Sequence, residues 1–536
     1  MIELGSSGSS DAPSRRVHRL LIGLLIIGGL VRLPGVAWGV NWPDGFTSHH
    51  PDEYTHVANT DAIVSPLLAH TQRPYPLALG ALAATPFLAY YAVQGQFGGP
   101  RIHIPWTIGT GRLISVTLGV AAILIVFLIG RDALDRRAGL FAAGLLALGG
   151  LHVTQSHFFL SDVPAATCTV LAVWLLWRDV TAGDGADHEA LRWAAAAAGG
   201  AFALKLFVFV VPALLYAVLA RGPRLRRAVH ASVFFVAGFT VPSLGFETPV
   251  TVYRAATGGV NYEYQFDRIL AAVLYAVQLP SFLTFPLLFL ALGGAVALVG
   301  RLAKATPAVR RHALVIFGAP PVIALAFVLL KLDHFPRHWV VLIPWAAVAG
   351  GWALARLTER LPRRAGAALV SGIFAWMAVA VIDSERFFIF EPRNDALRWL
   401  RAHVPEGTTV NWMGRRTPQG YTSVRWFVEG DPEYLLIEMG EANHSLSGVN
   451  WRNSYPSDAR HVFDGRSDAR VAAIQALFRG GSSYVEVARF TDSYVMPEYR
   501  LALALVGDRA RSYVTEVVVF RRRAPTEGTS ARGSGE

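Results

Sequence analysis

Two adjacent carboxylates follow the first apolar segment of the sequence. The stretch "SHHPDEYTHV" at residues 48–57 contains Asp52 and Glu53 together with His50 and His56. A carboxylate at such a position can take the proton of an attacking hydroxyl group, which is general base catalysis. Imidazole and carboxylate groups can also bind a divalent metal, although this spacing fits no compact ligand signature. The simpler alternatives are a solvated loop or the capping of a short helix.

A second acid and three cations are candidates for the same chemistry. Asp162 lies in "HVTQSHFFLSDVP", and Lys205, Arg337 and Arg112 each lie at the edge of an apolar run. Lysine and arginine side chains bind phosphate oxygens, so they could bind a phosphate leaving group on a lipid. Each also has an ordinary structural explanation. Asp162 could cap a helix, Lys205 could extend to the membrane interface, and Arg337 could pair with Asp333.

The elements that must position these residues are membrane helices. Of the 536 residues, 53% are hydrophobic and only 16% are charged, and the mean hydropathy is +0.38. This composition predicts an integral membrane protein. The apolar runs lie near residues 20–40, 77–93, 112–130, 138–151, 163–177, 193–204, 206–220, 229–245, 282–299, 313–330, 339–355 and 365–382. A single cysteine, Cys168, excludes an intramolecular disulfide framework.

Basic clusters between the apolar runs predict the topology. The net charge of +11 is concentrated in such clusters, so it indicates orientation and not a nucleic-acid partner. With the amino terminus inside, the clusters at 131–137, 221–227, 301–311 and 356–364 should all be cytoplasmic. This requires that residues 77–93 lie in the outer interface without crossing. The chain then crosses the membrane about 11 times, and everything after residue 382 is outside.

The expected domain organisation follows from this topology. Residues 1–14 form a disordered cytoplasmic amino terminus, 15–382 a transmembrane domain, 383–523 an extracytoplasmic α/β domain and 524–536 a disordered tail. The outer domain includes an amphipathic helix in "NDALRWLRAHV", with Asn394 as its expected cap. Alternating patterns in "SSYVEVARF" and "SYVTEVVVF" predict strands. The protein is therefore expected in the cell membrane, in contact with membrane lipids.

An ordered set of motifs resembles one superfamily of enzymes. The motifs are "HPDEYTHVAN", "RPYPLALGAL", the stretch from "GRLISVTLGV" to "SHFFLSDVP", "GGAFALKLFVFVVPALL" and "EPRNDALRWLRAHVPEGTTV". Together they resemble the polyprenyl-phosphate-sugar-dependent glycosyltransferases of the GT-C superfamily, in particular the protein O-mannosyltransferases and the lipid A aminoarabinose transferases. The resemblance implies a polytopic α-helical membrane protein with a GT-C-like fold. It also implies that residues 246–268 form a later outer loop that closes over substrate.

The resemblance implies roles for individual residues. Asp52 and Glu53 match the acidic pair of the first outer loop, Asp162 matches the acid of the second, and Lys205 would meet the donor phosphate. Arg337 and Arg112 would assist Lys205. The substrate-binding candidates are His50, His56, His157 and Tyr262. The chain departs from many relatives at Thr55 and His56, where they have an arginine, and at His157.

The implied reaction transfers a sugar from a polyprenyl-phosphate carrier to an acceptor hydroxyl on a lipid, glycan or protein. A single displacement predicts inversion at the anomeric carbon, with Asp52 as the base and Glu53 or Asp162 assisting. Side-chain cations are sufficient to stabilise a leaving monophosphate, so no cofactor is required. A divalent metal bound near Asp52 remains an alternative.

Two other functional classes remain open from the sequence. A transporter or flippase of a lipid-linked glycan would be expected to show internal repeats and ionisable residues at the membrane midplane, and neither is apparent. A non-catalytic membrane scaffold would bind partners through its outer domain. It would keep normal acceptor modification after replacement of Asp52 and Glu53.

Overall fold

The computed structural model of the protein describes most of the chain. The described residues are 11–39, 53–64, 78–94, 104–182, 189–205, 208–220, 224–242, 277–331, 336–413, 417–426, 429–438, 467–480, 482–491, 493–506 and 516–523. The helices of the first part are α1 (Asp11–Leu30), α2 (Glu53–Val64), α3 (Ala78–Gln94), α4 (Ile104–Ala133), α5 (Arg136–Ala147), α6 (Gly150–Gln155), α7 (Asp162–Thr181), α8 (Glu189–Lys205), α9 (Val211–Ala220) and α10 (Arg224–Thr240). They are followed by α11 (Phe285–Ala303), α12 (Pro307–Ala313), α13 (Ala319–Lys331), α14 (Ile343–Arg360) and α15 (Arg363–Ile389).

The protein is a multi-pass helical membrane protein. Seven segments in the described residues are long and apolar enough to cross a membrane: Arg15–Ala37, Ile104–Ala133, Asp162–Thr181, Phe285–Ala303, Pro307–Ala326, Arg337–Arg360 and Arg363–His403. Each predicted apolar run overlaps a described helix. The shorter helices, such as α9, do not meet the length criterion of about 20 residues. The expected total of about 11 crossings is therefore not confirmed.

Polar contacts join the basic clusters at one end of the helical bundle. Arg356 pairs with Asp135, which links the α14 end to the α4–α5 turn. The indole N–H of Trp174 donates to Asp132 over 2.9 Å, which brings the end of α7 to the same place. Two further contacts at this basic end are Arg227 with Asp179 at 2.7 Å and Tyr216 with His312 at 2.7 Å.

A mixed sheet forms the core of the carboxyl-terminal domain. Its strands are β1 (Thr409–Met413), β2 (Thr422–Ser423), β3 (Tyr434–Glu438), β4 (Tyr484–Phe490) and β5 (Val517–Arg522), in the order β2-β1-β3-β5-β4. The β1–β2 and β1–β3 pairs are parallel, and the pairs involving β5 are antiparallel. The two predicted strands are β4 and β5. In the structure Val517–Phe520 of β5 are buried at every position, because this part of the sheet is covered on both faces, whereas most of β4, at the sheet edge, is exposed or partly exposed.

The described residues of this domain also contain three helices. They are α16 (Pro392–His403), α17 (Ser467–Phe478) and α18 (Pro497–Val506). Leu397 and Leu400 of α16 pack on one face of the sheet, and Ile474 of α17 packs on the other. The expected Asn394 cap is wrong. The helix begins earlier, because Pro392 occupies its first turn and the Glu391 side chain accepts from the N–H of Arg393.

Candidate functional site

The turn between α6 and α7, residues 156–161, is the centre of the candidate site. It leads from the buried helix α6 to Asp162, the first residue of α7. The backbone N–H of Phe159 in this turn donates to Oε1 of Glu53 over 2.6 Å. The Phe159 ring also contacts the His56 ring, with 5.3 Å between centroids. The structure thus brings the predicted residues Glu53, His56 and Asp162 to one segment.

A buried ion pair holds Glu53 in place. Arg112 of α4 donates through Nε to Oε1 at 2.8 Å and through Nη2 to Oε2 at 2.7 Å. Both side chains are fully buried. This bidentate geometry is the strongest arrangement available to an arginine and a carboxylate, and burial makes the loss of either partner costly.

The rest of the Arg112 guanidinium binds the backbone after α1. Its Nη1 donates to the carbonyl oxygens of Gly35, Val36 and Trp38, at 3.2, 2.8 and 2.7 Å. We expected Arg112 to bind the donor phosphate. In the structure its described partners are carboxylate and carbonyl oxygens of the protein, and phosphate binding by Arg112 stays a prediction.

A second acid–base pair lies beside the turn. Lys205, the last residue of α8, pairs through Nζ with Oδ1 of Asp162. The Asp162 side chain is only 4% exposed, whereas that of Lys205 is 19% exposed. The lysine is therefore the more exposed member of the pair. The pairing arises because α7 and α8 pack against each other along their length.

Arg337 lies on an element that packs against the helix beginning at Asp162. It belongs to the short 3-10 helix Pro336–Leu342, which packs against α6 and α7. Arg337 is half-buried. Its helix contacts the helix that begins at Asp162, so the prediction that Arg337 assists Lys205 is compatible with its position. Asp333, the alternative partner, lies outside the described residues.

His157 takes part in a buried polar network that sequence reasoning missed. Its Nδ1 meets the backbone oxygen of Arg32 at 2.7 Å, and its Nε2 pairs with Oε2 of Glu385. The hydroxyl of Thr154 donates to Oε1 of Glu385 over 3.0 Å. The network connects the α6–α7 turn, which contains His157, to Glu385 near the end of α15. The prediction that His157 binds substrate therefore remains without support from its described contacts.

Arg32 ties this network to the bundle. Its guanidinium donates to the carbonyl oxygens of Gly28, Ala147 and Leu146, at 2.7, 3.0 and 3.1 Å, and contacts Nδ1 of His152 at 3.0 Å. The sequence does contain a signal for this role, because Arg32 is a lone arginine at the end of an apolar segment. A buried charge in a membrane helix requires partners, so such an arginine indicates a polar network.

The carboxyl-terminal domain packs against the same end of the bundle. Asp383 of α15 accepts from the backbone N–H groups of Val495 and Met496, at 2.9 and 2.8 Å. The indole of Trp38 donates to Glu391 over 2.5 Å. A cluster of buried apolar residues fills this interface: Trp38, Phe158, Leu160, Ala380, Phe387, Phe388, Tyr494, Met496 and Tyr499. This end, opposite to the basic end, is referred to below as the domain end.

Some predicted site residues lie outside the described residues. These are Asp52, His50 and Tyr262. Within the described residues, no three acidic, histidine or cysteine side chains converge in a way that could hold a metal ion. The divalent-metal hypothesis relied on Asp52 and its neighbouring histidines, and it stays a prediction.

The sequence resemblance is confirmed by comparison with known families. The model of the dolichyl-phosphate-mannose-protein mannosyltransferase family matches residues 107–246, about a quarter of the chain. This segment contains Arg112, His157, Asp162 and Lys205. This segment therefore resembles membrane glycosyltransferases whose donor is a sugar linked to a lipid phosphate. No curated protein sequence matches the chain significantly.

Solved structures show only a distant likeness. ArnT from Cupriavidus metallidurans in the apo state aligns with 15% identity and a TM-score of 0.48, covering 95% of this chain and 98% of that one. The Archaeoglobus fulgidus oligosaccharyltransferase in complex with Zn and sulfate aligns with 14% identity and a TM-score of 0.46, covering 80% and 68%. The S. cerevisiae Pmt1-Pmt2 complex bound to the sugar donor reaches 17% identity and a TM-score of 0.33, covering 47% and 36%. All three scores are below 0.5, so these likenesses carry no argument about function.

Proposed function

We propose that the protein is an inverting glycosyltransferase with a GT-C-like fold. It transfers a sugar from a polyprenyl-phosphate carrier to an acceptor hydroxyl on the extracytoplasmic face of the membrane. The observation that carries the proposal is the α6–α7 turn, which holds Glu53 through the N–H of Phe159 and leads directly to the Asp162–Lys205 pair. The family match covers this same segment.

The donor chemistry explains the need for a reachable cation. A sugar linked to a polyprenyl phosphate is a phosphodiester with one negative charge. When the bond between the anomeric carbon and the phosphate oxygen breaks, the leaving phosphate gains a second charge. Lys205 is the more exposed member of its ion pair, so it stabilises this growing charge. Arg337 is the second candidate for the same role.

The acceptor requires a base. As the hydroxyl oxygen attacks the anomeric carbon, its proton must leave, and we assign it to the carboxylate of Asp52. Asp52 directly precedes Glu53 in the sequence. Glu53 itself is buried and held by Arg112, so it anchors the segment that carries the base. One displacement with one base produces inversion.

The direct test is a transfer assay on the purified protein in proteoliposomes. Mass spectrometry of envelope lipids, glycans and proteins from cells with and without this chain first identifies the missing sugar and its acceptor. Asp52→Asn should then lower the release of polyprenyl phosphate by at least about 100-fold, with an unchanged melting temperature. Asp395→Asn, on the exposed side of α16, is the matched control. Near wild-type turnover of Asp52→Asn would contradict the assignment of Asp52 as the base. A wild-type protein without transfer activity, together with no missing sugar in cells lacking the chain, would contradict the proposal that the protein is an enzyme.

The orientation is tested separately. We propose that the basic end faces the cytoplasm and the domain end faces outward, because cationic loops are retained inside. In a Cys168→Ala background, cysteines at Arg136 and Arg224 should resist an impermeant thiol reagent on intact cells. A cysteine at Arg398, whose side chain is 79% exposed, should react. Labelling at Arg136 without permeabilisation contradicts this topology.

A further inference from the structure

The last turns of α15 connect the carboxyl-terminal domain to the α6–α7 turn. Asp383 accepts two backbone N–H groups just before α18. Two residues later, Glu385 accepts from Thr154 at 3.0 Å and pairs with His157. Residues two apart on a helix point to nearly opposite sides. One helix turn therefore holds the outer domain on one side and the start of the site segment on the other.

The contacts of Glu385 and those of the site lie on one short segment. Thr154 and His157 are held by Glu385, and Phe159, two residues after His157, donates to Glu53. Asp162 follows at the start of α7. No residue of this segment from 150 to 163 is exposed to solvent, and Gly35 lies directly against the His157 ring. A shift at Glu385 is thus passed to Glu53 and Asp162 by packed atoms.

The proton arrangement at His157 allows a conservative test. The backbone oxygen of Arg32 only accepts, so Nδ1 of His157 carries a hydrogen toward it. Nε2 and Oε2 of Glu385 then share a single further proton. A glutamine at 385 can donate its amide N–H to a neutral Nε2 and accept from Thr154. An alanine can do neither.

We propose that Glu385 is a positioning residue, which fixes the α6–α7 turn and thereby the separation between Glu53 and the Asp162–Lys205 pair. The role rests on the proposed function above. Glu385 touches neither Glu53 nor Lys205 in its described contacts and acts through Thr154 and His157. The same helix end also makes the placement of the site depend on how the outer domain docks.

Kinetics of three variants test the proposal. Glu385→Ala should lower kcat by about 10- to 100-fold, since displacements near 1 Å can cost that much, while the donor KM changes by less than about threefold. Glu385→Gln should recover most of the rate. Glu359→Ala removes a partly exposed carboxylate at the basic end and should leave both constants unchanged. Wild-type kcat in a folded Glu385→Ala enzyme overturns the proposal.

Hydrogen exchange provides a readout that does not depend on transfer. In Glu385→Ala, the peptide containing the Phe159 amide should exchange at least about 10-fold faster, and in Glu359→Ala it should not. If Glu385→Ala does not fold, Thr154→Val removes one hydrogen bond of the network and should shift kcat and exchange in the same direction. Unchanged exchange and kcat in that variant overturn the proposal. A wild-type protein without transfer activity would count against the proposed function alone. The hydrogen-exchange rate of the Phe159 peptide would then still show whether Glu385 fixes the α6–α7 turn.

Discussion

The backbone N–H of Phe159 donates to the Glu53 carboxylate over 2.6 Å, although 106 residues separate them. This bond joins the segment after the first apolar run to the turn before α7. It uses a backbone donor, so the amino-acid type at position 159 does not reveal it. The bond also explains why Glu53 is fully buried, since Arg112 and Phe159 together satisfy its oxygens.

Gly111 should be essential for this bond. A Cβ at Gly111 would lie 2.0 Å from Cδ2 of the Phe159 ring, so an alanine must displace the ring and the turn. We expect Gly111→Ala to lower the free energy of unfolding by about 1–3 kcal/mol and to reduce transfer. The measurements are the melting temperature in detergent and the transfer rate.

Gly109 provides the matched control for that substitution. It lies on the same helix, and no heavy atom is within 4 Å of a Cβ built there. Gly109→Ala should therefore keep the stability and rate of the wild type. Equal melting temperatures for the two alanine variants would show that Phe159 moves aside at little cost.

The Glu53–Arg112 pair should show strong energetic coupling. Glu53→Gln leaves the buried guanidinium without its counter-charge and should cost about 3–5 kcal/mol of stability. The double variant with Arg112→Met should recover part of this loss, because it removes the unpaired charge. The coupling free energy is measured by a double-mutant cycle on unfolding in detergent.

An exposed ion pair provides the control for that double-mutant cycle. Arg489 and Glu486 on β4 are 2.7 Å apart and about 40% exposed. Exposed pairs contribute only about 0–1 kcal/mol, so the same cycle there should give a small value. Additive effects at Glu53 and Arg112 would contradict the coupling.

The helical part of the fold could be predicted from the sequence because apolar runs of membrane length have few other solutions. Strands β4 and β5 were predictable from their alternation. Strand β3 was missed, since "YLLIE" is buried at every position and does not alternate. Strand β1, "TVNWM", was also missed, because it has only five residues and two of them are polar. The cap at Glu391 was missed because Asn394 offers an equally good local signal.

The candidate site was predictable only in part. Residue types and order predicted Glu53, Asp162 and Lys205, which the structure brings to one turn. Glu385 and Arg32 were missed, because their partners lie 228 residues away in His157 and 124 residues away in Ser156. No local pattern shows such a pairing. Arg112 was a candidate from its position at the edge of an apolar run, but its pairing with Glu53, 59 residues away, was not predictable.

Lys205 should control affinity for the released carrier. The Lys205→Met variant removes the ammonium that we assign to the phosphate and leaves the Asp162 charge uncompensated. We expect the inhibition constant of polyprenyl phosphate to rise at least about 10-fold, together with a fall in kcat. The measurement is product inhibition of transfer in proteoliposomes. Lys304→Met, after the last turn of α11 at the basic end, should leave the inhibition constant unchanged, and equal constants for both variants would place the phosphate elsewhere.

Glu498 should make the docking of the carboxyl-terminal domain sensitive to pH. Its side chain is buried at the start of α18 and accepts from the Trp376 indole over 3.0 Å. Burial, with the nearby Asp383 charge, raises its pKa above the ordinary value of 4.5. The folded state therefore favours the protonated acid. This contribution to stability is complete below the unfolded pKa and is lost as the pH rises through the folded pKa.

The Glu498→Gln variant tests this sign. Its amide stays neutral and its carbonyl oxygen can still accept from Trp376, so the variant should melt a few degrees above wild type at neutral pH. Below pH 4.5 the two melting temperatures should converge, because the wild-type acid is then protonated in both states. Glu433→Gln, at a partly exposed site, should show no such pH-dependent difference. A Glu498→Gln protein that melts below wild type at neutral pH would mean that the carboxylate stabilises the interface in its charged form.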